Sequence, residues 1–122
     1  SPTVPLNYRV QGSAGWWMMK AMIRVHEQLN RWRAADGFDG YIVLEIHDEL
    51  VLDFPKSKVD PLLVRDRKPG DGMTEAYRES NLWRAREVQR LMEQGGEDFV
   101  PRVPTPVAVE YAADNWAEGA SV

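Results

Sequence analysis

Met18, Met22, Val25, Leu29 and Trp32 recur at intervals of four and three residues, which is one stripe on a helix. Lys20, Arg24, Glu27, Arg31 and Arg33 lie largely off that stripe. The spacing predicts a helix over 14–35, with Ser13 as N-cap and Asp36-Gly37 as its stop. The next two apolar runs have strand length instead. Tyr41-Ile-Val-Leu-Glu-Ile46 and Glu49-Leu-Val-Leu-Asp-Phe54 are rich in β-branched and apolar residues, and Pro55 stops the second. Only His47-Asp48 separates them, so a tight antiparallel hairpin over 41–54 is expected, with polar residues at its tip. His-Asp is not the usual chemistry of such a turn, and departures of that kind often mark a functional site.

The rest of the chain is less regular. Residues 1–13 hold two prolines and read as an extended lead-in. Residues 56–80 are rich in charge, Gly and Pro around Lys68-Pro-Gly-Asp-Gly72 and read as a long surface loop or insertion. Leu82, Ala85, Val88, Leu91 and Met92 share one face of a second helix over 81–94, which Gly95-Gly96 would end. Prolines 101, 104 and 106 lead into a final short strand near 106–111. No internal repeat is found. Helices and antiparallel strands in this order predict an α+β fold. Its strands should share one sheet, because a lone two-stranded hairpin is barely stable.

Composition narrows the function classes. The 122 residues suffice for one small domain or a piece of a larger one. With no cysteine there is neither a disulfide scaffold nor a Cys-ligated metal site. A net charge of −4 argues against a free-standing nucleic-acid binder, unless the basic surface lies in other chain segments. No apolar run approaches the ~20 residues needed to span a bilayer, and no signal-peptide pattern opens the chain. A cytoplasmic protein without a membrane partner is expected. The chain opens on Ser1 rather than Met, so a cut, processed or truncated end is expected.

The strongest chemical signal is His47-Asp48-Glu49. A carboxylate at a hairpin tip can ligand Mg²⁺, and two such metals about 4 Å apart can activate an attacking oxygen and stabilise a leaving one. A tip can equally be polar because it lies in water. His26, mid-helix beside Glu27, reads as a surface residue, and Arg84, Arg86 and Arg90 as a solvated helix face. Trp16, Trp17 and Met19 read as core or interface.

Three blocks in order add more. Asn7-Tyr-Arg-Val-Gln-Gly-Ser-Ala14, a helix bearing Ala21-Met22, and Tyr41 through Pro55 precede a Val-Pro-rich segment, Val103–Val109, and Asn115-Trp116. This order resembles the C-terminal, palm-forming end of family A DNA polymerases, over nearly the whole chain apart from 56–80. In that family the block Asn-x-x-x-Gln-Gly-Ser/Thr-Ala opens a long palm helix, and motif C, Val-His-Asp-Glu-Leu-Val, follows on a hairpin.

The resemblance implies roles by position. Asp48 looks like the motif C aspartate that binds both catalytic Mg²⁺ ions, and Glu49 like its auxiliary carboxylate. His47 is similar to the histidine beside the primer terminus. Asn7 and Gln11 resemble residues that touch the minor-groove side of the duplex, where an amide can test base-pair shape without reading sequence. Two departures stand out. Gly15, Trp16 and Trp17 occupy the place where the family often has an acidic residue, and the long 56–80 stretch looks more like a phage-type variant.

The motif A aspartate, the fingers and the thumb have no counterpart in this sequence. The resemblance therefore implies an incomplete DNA-directed DNA polymerase, an excised fragment or one piece of a split enzyme from a bacterial or phage-infected cell. Its partners would be primer–template DNA, dNTP and the chain carrying the fingers, thumb and motif A. Two other readings stay open. One is a non-catalytic DNA-binding or structural palm subunit. The other is the palm of a phage-type single-subunit RNA polymerase, against which Glu49 stands where Ser is typical.

Overall fold

A computed structural model of the chain describes residues 6–11, 18–46, 49–67, 69–99, 107–112 and 120–122. The elements are strand β1 (Leu6–Gln11), helix α1 (Met18–Asp36), strands β2 (Tyr41–Ile46) and β3 (Glu49–Phe54), helices α2 (Glu75–Ser80) and α3 (Leu82–Phe99), and strands β4 (Ala108–Ala112) and β5 (Ala120–Ser121). The strands form one antiparallel sheet in the order β2-β3-β1-β4-β5. The fold is α+β, as expected, and among the described residues no helix is long and apolar enough to cross a membrane.

Both long helices pack on one face of the sheet because their apolar stripes have nowhere else to go. Ala21, Val25, Leu29 and Trp32 of α1 are buried, as are Leu82, Ala85, Val88, Leu91 and Met92 of α3. They meet Tyr8 and Val10 of β1, Leu50, Leu52 and Phe54 of β3, and Val109 and Tyr111 of β4 in a single core. Tyr8 lies at its centre, with its ring centroid 4.9 Å from Phe54 and 5.4 Å from Tyr111. Its hydroxyl is buried without a hydrogen-bond partner, and burial pushes its pKa far up. A helix of α1's composition ends where Gly37 takes a left-handed φ of 76°, and the Asp36 carboxylate accepts from Phe38 N at 3.1 Å.

Besides adding β5 after the expected final strand, the structure departs from the sequence reading in four places. The lead-in contains β1, and this strand occupies the middle of the sheet rather than trailing from it. The presumed loop 56–80 holds 3-10 turns at Pro61–Val64 and Pro69–Asp71 and then α2, which Thr74 caps by accepting from Tyr77 N. Helix α3 continues through Gly95-Gly96 to Phe99. Glycine lowers helix propensity by roughly 1 kcal/mol but does not break a helix already propagating. The fourth is Arg84, which is 7% exposed rather than solvated. Its guanidinium lies over the rings of Trp32, Phe38 and Trp83 at 4.2–5.0 Å. His26 is exposed, as read. Ser13, Gly15, Trp16, Trp17 and Trp116 lie outside the described residues, as does the side chain of Met19.

Candidate functional site

Of the sequence-predicted site residues, Asn7 and Gln11 lie on β1 and Glu49 opens β3. Strand alternation buries Tyr8 and Val10, so Arg9 between them projects from the sheet face opposite the helices. On β3 the same alternation buries Leu50, Leu52 and Phe54 in the core and leaves Glu49 and Asp53 half-buried on the other face. In the register of the pair, Gln11 stands opposite Glu49 and Asn7 opposite Asp53. The strand bearing both predicted duplex contacts therefore lies directly beside the strand that follows His47-Asp48 in sequence. His47 and Asp48 lie outside the described residues, as do the side chains of Asn7 and Gln11.

Glu49 is engaged. Arg9 Nε donates to Glu49 Oε1, and Arg9 Nη1 stands 3.6 Å from Glu110 Oε2 on β4. One guanidinium thus ties three neighbouring strands together on this face. Asp53 differs: one of its carboxylate oxygens is buried without a hydrogen-bond partner, and burial raises its pKa. Among the described residues no three His, Cys, Asp or Glu side chains are grouped so as to hold a metal ion. Glu49 gives Oε1 to Arg9, which leaves Oε2 as its remaining acceptor. The described residues therefore do not by themselves fit a Mg²⁺ site.

A cleft of about 580 Å³ runs along α3, walled by Met73, Tyr77, Trp83, Arg86 and Arg90 among others. None of its described walls comes from a strand, so it is separate from the residues singled out above. Arg90 there is held by Glu87 through contacts of 2.5 and 3.0 Å, and Arg86 Nη2 donates to Arg65 O at 2.5 Å. Arg90 and the Nη2 of Arg86 thus donate to the protein's own acceptors, whereas Arg86 Nε is buried without a hydrogen-bond partner.

Sequence reasoning did not single out Arg9. Its signal was available, because Leu6-Asn-Tyr-Arg-Val-Gln11 alternates apolar and polar residues as a half-buried strand does. That alternation places a cation on the face opposite the helices, two residues from each predicted DNA contact.

No curated protein and no solved structure matches the chain. A family model described as DNA polymerase family A matches residues 3–118. That match takes in β1, the hairpin and both long helices, and it agrees with the blocks read from the sequence. The chain belongs to DNA polymerase family A.

Proposed function

We propose that this chain supplies the C-terminal palm part of a DNA-directed DNA polymerase, as one piece of a split or fragmented enzyme. The observation that carries the reading is the pairing of β1 with β3 within a family match over residues 3–118. Members of the family are nucleotidyltransferases that generally use Mg²⁺, and they act on DNA and dNTP. In this reading Asp48 is the carboxylate the chain contributes to a Mg²⁺ site shared with the motif A aspartate of a larger chain, and Glu49 is auxiliary to it. Bound there, Mg²⁺ would stabilise negative charge on the transferring phosphoryl group.

The chain's own residues do the placing. Asn7 and Gln11 on β1 lie against the minor-groove side of the primer–template end, where amide donors meet acceptors common to every base pair. His47 stands beside the primer terminus. The core beneath β1 and β3 supports the strand that carries Asn7 and Gln11, because Tyr8, Val10, Leu50 and Leu52 are all fully buried. The larger chain supplies motif A, the fingers and the thumb, and the assembly works in the cytoplasm.

The test is single-turnover nucleotide incorporation by this chain reconstituted with a polymerase chain that carries motifs A and B. Asp48→Asn should lower the rate by about two to four orders of magnitude, a loss of ~3–5 kcal/mol of transition-state stabilisation. Primer–template affinity should stay near the parent's, because most of it comes from phosphate contacts elsewhere. The isolated chain should extend no primer. Near-normal incorporation by Asp48→Asn, or template-dependent extension by the chain alone, overturns the reading.

A further inference from the structure

Neither Arg9 nor Arg33 serves Asp53. In the register of the sheet Arg9 stands opposite Val51, so Glu49 and Asp53 are both two positions away on β3. Its guanidinium goes to Glu49 and, across the other edge of β1, to Glu110. Arg33 lies 4.3 Å over the ring of Tyr41, the β2 residue opposite Asp53, and donates to Asn30 Oδ1 and Gly40 O. Asp53 is left with Oδ1 buried and without a hydrogen-bond partner, and burial alone acts on its pKa. A carboxylate so withdrawn from water is costly unless a donor reaches it. The residue is half-buried rather than sealed, so that donor can come from outside.

On β1 the position opposite Asp53 is Asn7, one of the two residues read above as meeting the minor-groove side of the duplex. Neighbouring strands lie about 4.8 Å apart, so a duplex that meets the sheet at Asn7 also comes within reach of Asp53. The minor groove presents acceptors from every base pair and a single kind of donor, the exocyclic amino group of guanine. Amides can meet the acceptors. An ionised carboxylate has nothing to donate to them, and it is matched to the amino group.

We propose that Asp53 accepts a hydrogen bond from the exocyclic amino group of a guanine in the primer–template duplex, so that the sheet senses a G·C pair at one position behind the primer terminus. The proposal rests on the reading of β1 as a duplex-facing strand and deepens it. Asn7 and Gln11 stand four residues apart on β1, which is about 13 Å of strand, or about four base pairs at ~3.4 Å each. The sensed pair therefore lies roughly four pairs beyond the pair at Gln11.

The test uses the reconstituted polymerase and primer–templates in which inosine replaces guanine at one upstream position at a time, on either strand. Inosine pairs with cytosine but lacks the exocyclic amino group. The parent's primer–template affinity should fall by roughly 5–10-fold at one position and stay level at the others, which is the size of one hydrogen bond to a charged group. Diaminopurine in place of adenine at that position supplies the amino group in an A·T setting and should raise affinity by a similar factor. Asp53→Leu should erase both responses, and on duplexes with only A·T pairs in that stretch it should bind no more weakly than the parent. Asp53→Asn, which keeps a neutral acceptor, should fall between the two.

Three results overturn the proposal. The parent responds to inosine at no position; it gains nothing from diaminopurine; or Asp53→Leu keeps the parent's responses. In that last case, weakened association of Asp53→Leu with the larger chain would put a cationic side chain of that chain on Asp53 instead. If circular dichroism shows Asp53→Leu unfolded, Asp53→Asn against the parent decides, and equal responses to inosine reject the proposal. The polymerase reading fails by a separate signature, a reconstituted complex that adds no nucleotide to any primer, and the proposal falls with it.

Discussion

Arg84 donates from Nη2 to Asp36 Oδ2 at 2.7 Å, and each residue stands at the end of its helix where its charge is least welcome. Asp36 closes α1 at the negative end of the helix dipole, and Arg84 lies in the first turn of α3 at the positive end. Each offsets the other. Asp36 is 50% exposed, so the ion pair by itself contributes at most about 1 kcal/mol. The rings of Trp32, Phe38 and Trp83 around the guanidinium contribute more through packing and cation–π attraction. Arg84→Met should destabilise the chain by roughly 1–3 kcal/mol, Asp36→Asn by less, and Arg84→Lys should recover only part of the loss. Urea midpoints rank the three. Equal losses for Asp36→Asn and Arg84→Met would give the ion pair, not the rings, the larger share.

Two aspartates should shape the acid limb of stability with opposite signs. The hydrogen bond from Arg84 holds the Asp36 carboxyl below its ordinary value of 3.8, so its contribution is present above that pH and is lost as pH falls through the folded value. Burial raises Asp53 above the same value, so its charged form disfavours folding at neutral pH, and that penalty is relieved as pH falls through the raised value. Asp53→Asn should therefore stabilise the chain more at pH 7 than near pH 4. Asp36→Asn should flatten the fall in stability below about pH 4. Denaturation midpoints across pH for the two variants check both signs.

Small changes in the core should be felt sharply at Gly40. A Cβ there would lie 2.4 Å from Phe38 Cε2 and 3.0 Å from Phe54 Cδ1, and both rings belong to the packed core. Gly40→Ala should cost about 1–3 kcal/mol through overpacking. Tyr8→Phe should run the other way and be neutral or stabilising by up to about 1 kcal/mol, because it removes a buried hydroxyl that has no partner. Thermal unfolding of both variants would show the contrast, and a large loss for Tyr8→Phe would mean the hydroxyl is satisfied after all.

Among the described residues strand β2 is an edge of the sheet, and its Tyr41 and Val43 are 45% and 52% exposed. An unpaired, partly apolar edge invites pairing with another chain. The purified chain should self-associate with rising concentration, and Val43→Lys should reduce that association without lowering the unfolding midpoint by more than ~0.5 kcal/mol. Sedimentation velocity across a concentration series reads it. A monodisperse parent at high concentration would count against an adhesive edge.

In the reconstituted polymerase, Gln11→Ala should slow extension from paired primer ends by a smaller factor than Asp48→Asn does. Mispaired ends should respond differently, because the amide is expected to test pair shape. Single-turnover rates on matched and mismatched termini separate the two effects. Equal slowing on both would remove Gln11 from any part in sensing the pair.

The hairpin and both long helices were legible because their apolar periodicity runs unbroken over several turns or strand residues. Val25, Leu29 and Trp32, and likewise Leu82, Ala85 and Val88, are buried as their spacing predicts. β1 was obscured by its shortness and by Pro2 and Pro5 before it, although its alternation was present. α2 was hidden because Glu75–Ser80 buries only Tyr77 and Ser80, too few positions for a period to show. Arg84 could not be read from local sequence at all, since burial of its guanidinium depends on rings supplied by α1 and the loop after it. The same holds for the site. The His-Asp-Glu run is visible in one dimension, but the pairing of Glu49 with Arg9 joins residues 40 positions apart and exists only once β1 lies against β3.

The central place of β1 makes the order of chain emergence matter. Its two hydrogen-bonding edges are claimed by β3, from the first half of the chain, and by β4, from near the far end. During synthesis β1, α1 and the hairpin leave the ribosome together, yet one edge of β1 stays open until Ala108–Ala112 follows. Closing so long a loop is entropically slow, and topologies dominated by such distant pairings fold late. The docking of β4 is therefore the step that closes the second edge of β1. A nascent chain stalled before residue 108 should be protease-sensitive across β1, while the β2–β3 hairpin, closed locally, is already protected.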